Sequence, residues 1–292
     1  MSSPTDPSAG GAAALKARLC TLASDAELEL PLLPDASAQV LALCGEESCD
    51  ARALAQLLER DPALAAHVLR VSNSAAYAPR EPIVSLQQAV SRLGMGGVRN
   101  IAVAVALQVE IFRVPGHEGR LAELWTHSAC AGAWAREIAR ARRRNAESAF
   151  LCGLLHDVGK PALLREIAAL ERGLGLNLGD AALEDCFDEL HAELGARLLE
   201  RWKLPARMVA AARFHHRPDD PEVLADQARY AEDVHTTALA NQLAHWSRDL
   251  APERLEALRA CPALEPLGFY AEDLEALMGR RDTVLEAALA LA

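Results

Sequence analysis

The chain has 292 residues, of which 51% are hydrophobic and 24% charged, so it can bury a full core without covalent cross-links. Its formal net charge of −11 disfavours a broad polyanion-binding surface, because nucleic-acid binders need clustered positive charge to displace counterions, and no direct contact with DNA is expected. Only 4% of the residues are aromatic, and Ala and Leu carry most of the apolar content. Because these two residues favour helices over strands, the composition predicts an all-α fold.

The seven cysteines show no paired CxxC spacing, which indicates reduced thiols rather than a disulfide framework or a zinc ribbon. Cys130 and Cys152 stand in apolar helical segments and are expected to be small core residues. The N-terminus lacks a basic segment followed by an apolar run, and no apolar stretch approaches the ~20 residues needed to span a bilayer. We therefore expect a soluble cytoplasmic protein without a membrane partner.

The first part of the chain is predicted to contain a disordered tail and a helical subdomain. Residues 1–11 are rich in Ser, Pro and Gly and form the tail. Residues 12–114 form the N-terminal helical subdomain, in which the prolines of Leu30–Pro34 keep that stretch extended. The expected helices cover residues 12–24, 35 or 37 to 44, 50–60, 62–71 and 86–93. The nearly continuous apolar run from Val98 to Val109 predicts a central helix shared by two subdomains.

The second part begins at a hinge over residues 115–119. Residues 115–250 are predicted to form a second helical subdomain, and residues 251–292 a C-terminal helical extension of two or three short helices. The helices expected in the second subdomain are Leu121–Arg142, Ala146–Leu155, Lys160–Leu170, Ala182–Trp202, Pro205–His215 and Pro221–Ser247. An arginine cluster near the end of the first of these indicates either a solvated helix end or a dock for an anion or partner. Its members are Arg136, Arg140, Arg142, Arg143 and Arg144.

One apolar run ends in groups that are unusual at the end of a buried helix. Residues 150–160 (FLCGLLHDVGK) are apolar up to Leu155 and then present the His156 imidazole, the Asp157 carboxylate and the Lys160 amine. A helix that is hydrophobic nearly all round is expected to be buried, and an unpaired buried carboxylate costs several kcal/mol. These side chains therefore need partners. A capping Asp beside a hydrogen-bonded His gives the same pattern, so the pair alone does not establish a functional site.

Further histidines stand in helix-like segments around this pair, namely His127, His191, His215 and His216. Imidazole and carboxylate together suit a borderline divalent ion such as iron, manganese, zinc or nickel. With Asp157 between the imidazoles, the sequence leaves room for one ion or two. The alternative is a buried hydrogen-bonded network, which can specify a unique core when every member is satisfied.

The order His, His-Asp, His, His-His, with Lys160 three residues after Asp157, resembles the HD superfamily of metal-dependent phosphohydrolases. It is especially similar to the HDOD domain, the HD-related output domain of bacterial signalling proteins. The resemblance covers about residues 25–248, and further stretches carry it: Leu30–Pro34 with Val40 and Leu41, Arg60–Leu64, Arg70–Ser74, Ile83–Gly94 and His191–Pro205. The resemblance implies the HD-superfamily helical bundle with an N-terminal helical subdomain.

The resemblance also implies roles for individual residues. His127, His156 and Asp157 would bind a metal ion together with one more Asp from a later helix. His191, His215 and His216 are similar to the additional ligands of the two-metal branch, in which Asp157 would bridge the ions. If the site is active, Lys160 would be catalytic by stabilising charge on the phosphate.

Two departures from the family pattern weaken the expectation of activity. Asn241 stands where the closing Asp is expected, so the site loses one negative charge, and Asp233 lies too far along the helix to replace it. The Gly-Tyr-Pro signature of the cyclic-dinucleotide phosphodiesterases does not follow His216. The remaining histidines of this half, His117, His235 and His245, have no place in the pattern and are expected to be ordinary.

These observations leave three hypotheses. The first is a signalling module with a degenerate HD pocket that binds a signalling protein or a small nucleotide-like ligand without turnover. The second is a working phosphohydrolase acting on phosphomonoesters or nucleotide phosphodiesters. The third is an interaction scaffold that docks a kinase or regulator through the part of the chain before Val114. The sequence does not decide the oligomeric state.

Overall fold

The computed structural model describes Gln39 and residues 51–59, 62–74, 81–111, 113–174, 178–221, 223 and 230–291. The predicted tail, the predicted helix over 12–24 and the extended stretch at 30–34 lie outside the described residues. Of the helix predicted to end at Cys44, Gln39 alone is described, and it is helical.

Within the described ranges every regular element is an α-helix, which confirms the predicted all-α class. In chain order the helices are α1 (Ala51–Leu58), α2 (Pro62–Ser72), α3 (Leu86–Glu110), α4 (Glu118–Ala141), α5 (Ala146–Leu155), α6 (Gly159–Leu174), α7 (Asp180–Arg201), α8 (Ala206–Phe214), α9 (Ala231–Arg248), α10 (Pro252–Arg259), α11 (Ala271–Met278) and α12 (Arg281–Leu289). None of the described helices is both long and apolar enough to cross a membrane.

Helix α3 joins the N-terminal helices to the rest of the fold. It begins after Ser85, whose side chain accepts a hydrogen bond from the Gln88 backbone amide as an N-cap. It is kinked at Gly94, which has a φ of 71° that a residue with a side chain rarely adopts. Helices α1 and α2 pack on one side of α3, and α5 packs on another. The helix predicted over residues 86–93 and the run from Val98 to Val109 are therefore parts of one helix that is kinked at Gly94.

A polar contact holds α3 against α4 and α5. The Asn100 side chain donates to the backbone oxygen of Glu147 at 2.9 Å and to its Oε2 at 2.8 Å. Arg136 is buried, with its guanidinium 4.3 Å from the centre of the Phe150 ring and 3.4 Å from Glu147 Oε2. Arg136 is thus neither a solvated helix end nor a free anion dock, because the fold surrounds it with a carboxylate and an aromatic face. Arg144 is also paired, with Glu232 at 2.7 Å.

The histidine-bearing helices pack tightly around α5. Helices α4 and α9 cover it, and their own contact includes a hydrogen bond of 2.8 Å from Trp134 Nε1 to Ser247 Oγ. Helix α8 bridges α7 and α9, and α12 closes the other side of α4. The single long helix predicted from Pro221 to Ser247 is interrupted: Pro221 and Val223 are helical, but Tyr230 is not, and α9 begins at Ala231. Acidic residues in the first turn, Glu232 and Asp233, favour a helix start there.

Candidate metal centre

The centre of the site is the turn between α5 and α6. His156 ends α5 as its C-cap residue, Asp157 follows it, and Lys160 lies in the first turn of α6. The side chains of His156 and Asp157 are both buried, at 0% and 2% exposure. The turn thus places a charged group in the interior, where it needs compensation from other helices.

Two glycines allow other helices to approach this turn closely. A Cβ atom added at Gly153 would lie 2.6 Å from the backbone oxygen of Ala131, so α4 and α5 touch through their backbones. A Cβ added at Gly159 would lie 1.9 Å from the backbone oxygen of His191, so α6 and α7 cross in the same way. These contacts bring His127 on α4 and His191 on α7 to the His-Asp turn. Neither glycine can be replaced without moving a ligand-bearing helix.

The two oxygens of Asp157 face two different groups of side chains. Oδ2 lies 3.4 Å from His156 Nε2, 3.8 Å from His127 Nε2 and 2.6 Å from the Lys160 ammonium. Oδ1 lies 3.3 Å from His191 Nε2 and 3.5 Å from His215 Nε2. The six predicted side chains therefore converge, although His127 and His216 are almost ninety positions apart in the chain.

The sixth member, His216, stands at the more exposed edge of the site. Its Nε2 lies 3.1 Å from His191 Nε2, and the two ring centres are 5.0 Å apart. The candidate ligand atoms of Asp157, His191, His215 and His216 all lie within 4.8 Å of one another, and so do those of His127, His156 and Asp157. The structure thus contains two overlapping donor groups that share one carboxylate.

Backbone carbonyls of the histidines' own helices orient three of the rings. Nδ1 of His156 donates to the Gly153 carbonyl at 2.7 Å, Nδ1 of His215 donates to the Ala212 carbonyl at 2.9 Å, and Nδ1 of His191 donates to the Phe187 carbonyl. In a neutral imidazole this leaves the Nε2 lone pair facing Asp157. Such backbone support is typical of metal-binding histidines, because it sets the tautomer that a metal ion requires.

The ionisation states also suit metal binding. Burial lowers the pKa of His156 and His215 to about 4, and burial lowers that of His216 to about 3. Burial alone would raise the pKa of the Asp157 carboxyl, but His156 and the Lys160 ammonium hold it well below its usual range. At neutral pH the imidazoles of His156, His215 and His216 are therefore neutral and the Asp157 carboxylate is ionised, which are the forms that bind metal ions.

The His127 side of the site is closed by Asn241 on α9. Asn241 Oδ1 lies 2.9 Å from His127 Nε2, and both residues are buried. The predicted substituted position is thus in contact with the site, whereas Asp233 lies 4.0 Å from Arg207 on the other end of the same helix. His127 Nδ1 is buried and has no hydrogen-bond partner among the described residues.

A central stretch of about two-thirds of the chain identifies its family. The sequence profile of the HDOD domain matches residues 30–218. The chain belongs to the HDOD domain family. The match ends before α9, so Asn241 lies beyond the part of the HDOD domain that the profile covers.

Solved structures share this HDOD fold. A protein of Shewanella amazonensis SB2B, described as a "putative phosphohydrolase", is 26% identical, with a TM-score of 0.69 over 94% of this chain and 98% of its own. A second protein of that organism, described as a "putative metal-dependent phosphohydrolase", is 21% identical, with a TM-score of 0.72 over 96% of this chain and 99% of its own. An uncharacterized protein of Treponema pallidum is 27% identical in an alignment 225 residues long that covers 73% of this chain and 42% of that protein. The HDOD protein thus spans less than half of that relative.

One residue of the HDOD pocket was missed by sequence reasoning. The ring centre of His245, a residue expected to have no place in the pattern, lies 4.4 Å from that of His127 and so borders the pocket. His245 follows Asn241 by four residues and therefore shares its helix face, which is a signal that the sequence contained. His235 is buried but lies apart from the pocket, with Nε2 3.6 Å from Asp219 Oδ1, and His117 is the N-cap residue of α4.

The residues present fit a divalent cation. His156 Nε2 and Asp157 Oδ1 are buried and lack a hydrogen-bond partner within the described part of the chain. Buried polar atoms without partners are uncommon because they lose hydration without replacement. An ion that accepts electron pairs would satisfy both atoms, and the mixture of imidazole and carboxylate suits iron, manganese, zinc or nickel.

Proposed function

We propose that this HDOD protein is a regulatory module of bacterial signal transduction whose pocket holds a divalent transition ion without hydrolysing phosphate esters. It acts in the cytoplasm by binding a signalling protein or a small nucleotide-like ligand. Its formal net charge of −11 favours such partners over DNA.

The contact between Asn241 and His127 carries this proposal. The family pattern has a carboxylate at position 241, whereas in this chain the neutral amide oxygen of Asn241 lies 2.9 Å from His127 Nε2. Among the described residues, the carboxylate that groups with His127 and His156 is Asp157, which already pairs with Lys160 at 2.6 Å. A two-metal hydrolase needs both ions to polarise the phosphoryl group and activate water. Without a carboxylate at position 241, the part of the site around His127 would hold an ion weakly, and the pair of ions needed for hydrolysis would be incomplete.

The ion would be held by the buried imidazoles and Asp157. When bound, it would supply Lewis acidity and a lowered pKa for a coordinated water. The chain's own contribution is to orient the rings of His156, His191 and His215 through the Gly153, Phe187 and Ala212 carbonyls. In a regulatory module the same arrangement links ion or ligand binding to the packing of α4 to α9, since the ligand-bearing helices touch through backbone contacts.

An active metal-dependent phosphohydrolase is the second candidate. The convergence of six side chains of the family pattern favours it, as does the Lys160 ammonium, which is 17% exposed and can meet an anionic substrate. The similar Shewanella protein described as a "putative phosphohydrolase" favours it as well.

Hydrolysis assays separate the two candidates. Purified protein is loaded with manganese, iron or zinc and tested on p-nitrophenyl phosphate, nucleoside monophosphates and cyclic dinucleotides, with Asp157→Asn as the matched control. We expect no turnover above that of the control. Turnover near the usual enzyme range of ~1 s⁻¹ or faster, abolished by Asp157→Asn, would refute the regulatory proposal.

A further inference from the structure

Asp157 divides the pocket into two corners that differ in their free donors. The Asn241 corner contains His127, His156 and Asn241 around Oδ2 of Asp157. The His191 corner contains His191, His215 and His216 around Oδ1 of the same carboxylate. Each corner has three side chains with a nitrogen or oxygen donor and one oxygen of the shared carboxylate, so differences in their contacts decide which corner holds an ion.

The Asn241 corner already contains a cation. The Lys160 ammonium lies 2.6 Å from Oδ2, the oxygen that faces this corner. A metal ion bound to Oδ2 would share that oxygen with the ammonium and be repelled by it, and in a buried site the repulsion is weakly screened. Oδ1 faces the opposite corner and has no hydrogen-bond partner among the described residues.

The inward nitrogen of His127 is also engaged. It forms a hydrogen bond of 2.9 Å with Asn241 Oδ1, so an ion would have to break this bond before using that nitrogen. His127 differs here from His156, His191 and His215, since no carbonyl in the described part of the chain accepts a hydrogen bond from its Nδ1. Its ring therefore lacks the backbone contact that sets the metal-binding tautomer.

The His191 corner has neither a direct ammonium contact at its carboxylate oxygen nor an inward ring nitrogen that is bonded to an amide. Nδ1 of His191 and Nδ1 of His215 donate to helix carbonyls, so both Nε2 lone pairs are directed inward. The two Nε2 atoms are 3.4 Å apart, and His216 Nε2 lies 3.1 Å from that of His191. Lone pairs at such distances repel one another unless a proton or a cation lies between them. His216 is exposed, which gives an ion access from solvent.

We infer that this chain holds a single divalent ion, bound at the His191 corner by His191, His215, His216 and Asp157 Oδ1, while Lys160 occupies the Asn241 corner. The donor set is three nitrogens and one oxygen, which favours zinc, cobalt or nickel over manganese. This inference rests on the part of the proposed function that assigns an ion to the pocket, and it adds the ion's place, number and class.

Ion stoichiometry of the unmodified protein is the first test. The full chain is stripped with a chelator, dialysed against Zn²⁺ or Co²⁺, and analysed by mass spectrometry of the metal content. We expect one tightly bound ion per chain, with Zn²⁺ displacing Mn²⁺. Two tightly bound ions per chain, or none, would overturn the inference.

A matched pair of variants then locates the ion. His215→Gln and His127→Gln each replace one buried histidine, at 2% and 4% exposure, by a neutral side chain of similar size. We expect His215→Gln to weaken Co²⁺ binding by more than ~100-fold, since even changes behind the ligands cost roughly 10- to 100-fold. His127→Gln should keep both the Co²⁺ affinity, within about threefold, and the visible absorption spectrum of the bound Co²⁺. Circular dichroism verifies that each variant is folded.

The outcomes separate this inference from the proposed function. Equal loss in both variants, or a larger loss in His127→Gln, places the ion at the Asn241 corner and overturns the inference, while the absence of turnover would still support a regulatory role. Hydrolysis by a protein with one ion at the His191 corner would support this inference and refute the proposed regulatory function. If either variant fails to fold, the stoichiometry of the unmodified chain still decides.

Discussion

Replacing Asn241 by Asp restores the charge that this HDOD pocket lacks. The two side chains have nearly the same shape, so Asn241→Asp exchanges an amide for a carboxylate without altering the packing of α9. The new oxygen would lie 2.9 Å from His127 Nε2, in the corner that also contains His156 and Asp157 Oδ2. We expect the variant to bind a second divalent ion there.

The size of the effect follows from two opposing contributions. Two unit charges 4 Å apart attract by about 4 kcal/mol at an effective dielectric constant near 20, and a divalent ion roughly doubles this. Burying one more carboxylate costs several kcal/mol. We therefore expect a net gain of about 1.5–3 kcal/mol, or roughly a 10- to 100-fold tighter binding at this corner. Lys160 still pairs with Oδ2 at 2.6 Å, so the second ion should bind more weakly than the first.

Equilibrium dialysis against Mn²⁺ measures this gain, with Asn241→Ala as the neutral control. The control removes the amide oxygen without adding charge and should not gain an ion. The double variant Asn241→Asp with Lys160→Gln should bind the second ion more tightly than Asn241→Asp alone, because the competing ammonium is gone. Thermal unfolding gives an independent measure, since an ion that binds only the folded state raises its stability.

The result that would refute this reasoning is a variant with the ion stoichiometry and affinity of the parent protein. It would show that position 241 does not belong to the ligand sphere, despite its contact with His127. The proposal of a degenerate pocket would then lose the observation that carries it.

Three further predictions concern stability and pH. Gly159→Ala should lower the free energy of unfolding by roughly 3 kcal/mol or more, because the new Cβ would overlap the backbone oxygen of His191. The control Gly173→Ala on the same helix meets nothing within 4 Å and should raise the free energy of unfolding by about 0.5–1 kcal/mol. Urea denaturation measures both variants. In metal-free protein, burial lowers the pKa of His156 and His215 from 6.5 to about 4, so the unfolded state binds more protons than the folded state between these pH values. The free energy of unfolding should therefore fall by on the order of a few kcal/mol as the pH drops from 6.5 to 4. A free energy of unfolding from urea denaturation that stays constant over this range would contradict the lowered pKa values. Glu147→Ala should cost about 2–3 kcal/mol in a thermal or urea melt, because it removes the carboxylate that accepts one hydrogen bond from the Asn100 amide and pairs with the buried Arg136 guanidinium. A loss below about 0.5 kcal/mol would refute that role.

Local sequence patterns were sufficient for most of the helices. The Ala- and Leu-rich segments and the turn residues between them predict α4, α5 and α7 within a few residues of their observed bounds. The prediction of one continuous helix from Pro221 to Ser247 failed at Tyr230, where the acidic residues Glu232 and Asp233 favour a new helix start. It also failed for Arg136, because its burial depends on Glu147 and Phe150 from the next helix.

The sequence by itself determined the helical class, the family and the set of nitrogen and oxygen donors, since each of these depends on residue type and local order. The tertiary structure decided which oxygen of Asp157 faces which histidines and that Lys160 pairs with Oδ2. It also decided that His127 pairs with Asn241, 114 positions away. It also placed His245 against His127. The reason is that side-chain direction at the pocket follows from how closely the helices approach at Gly153 and Gly159, and such distances arise only when the whole bundle packs.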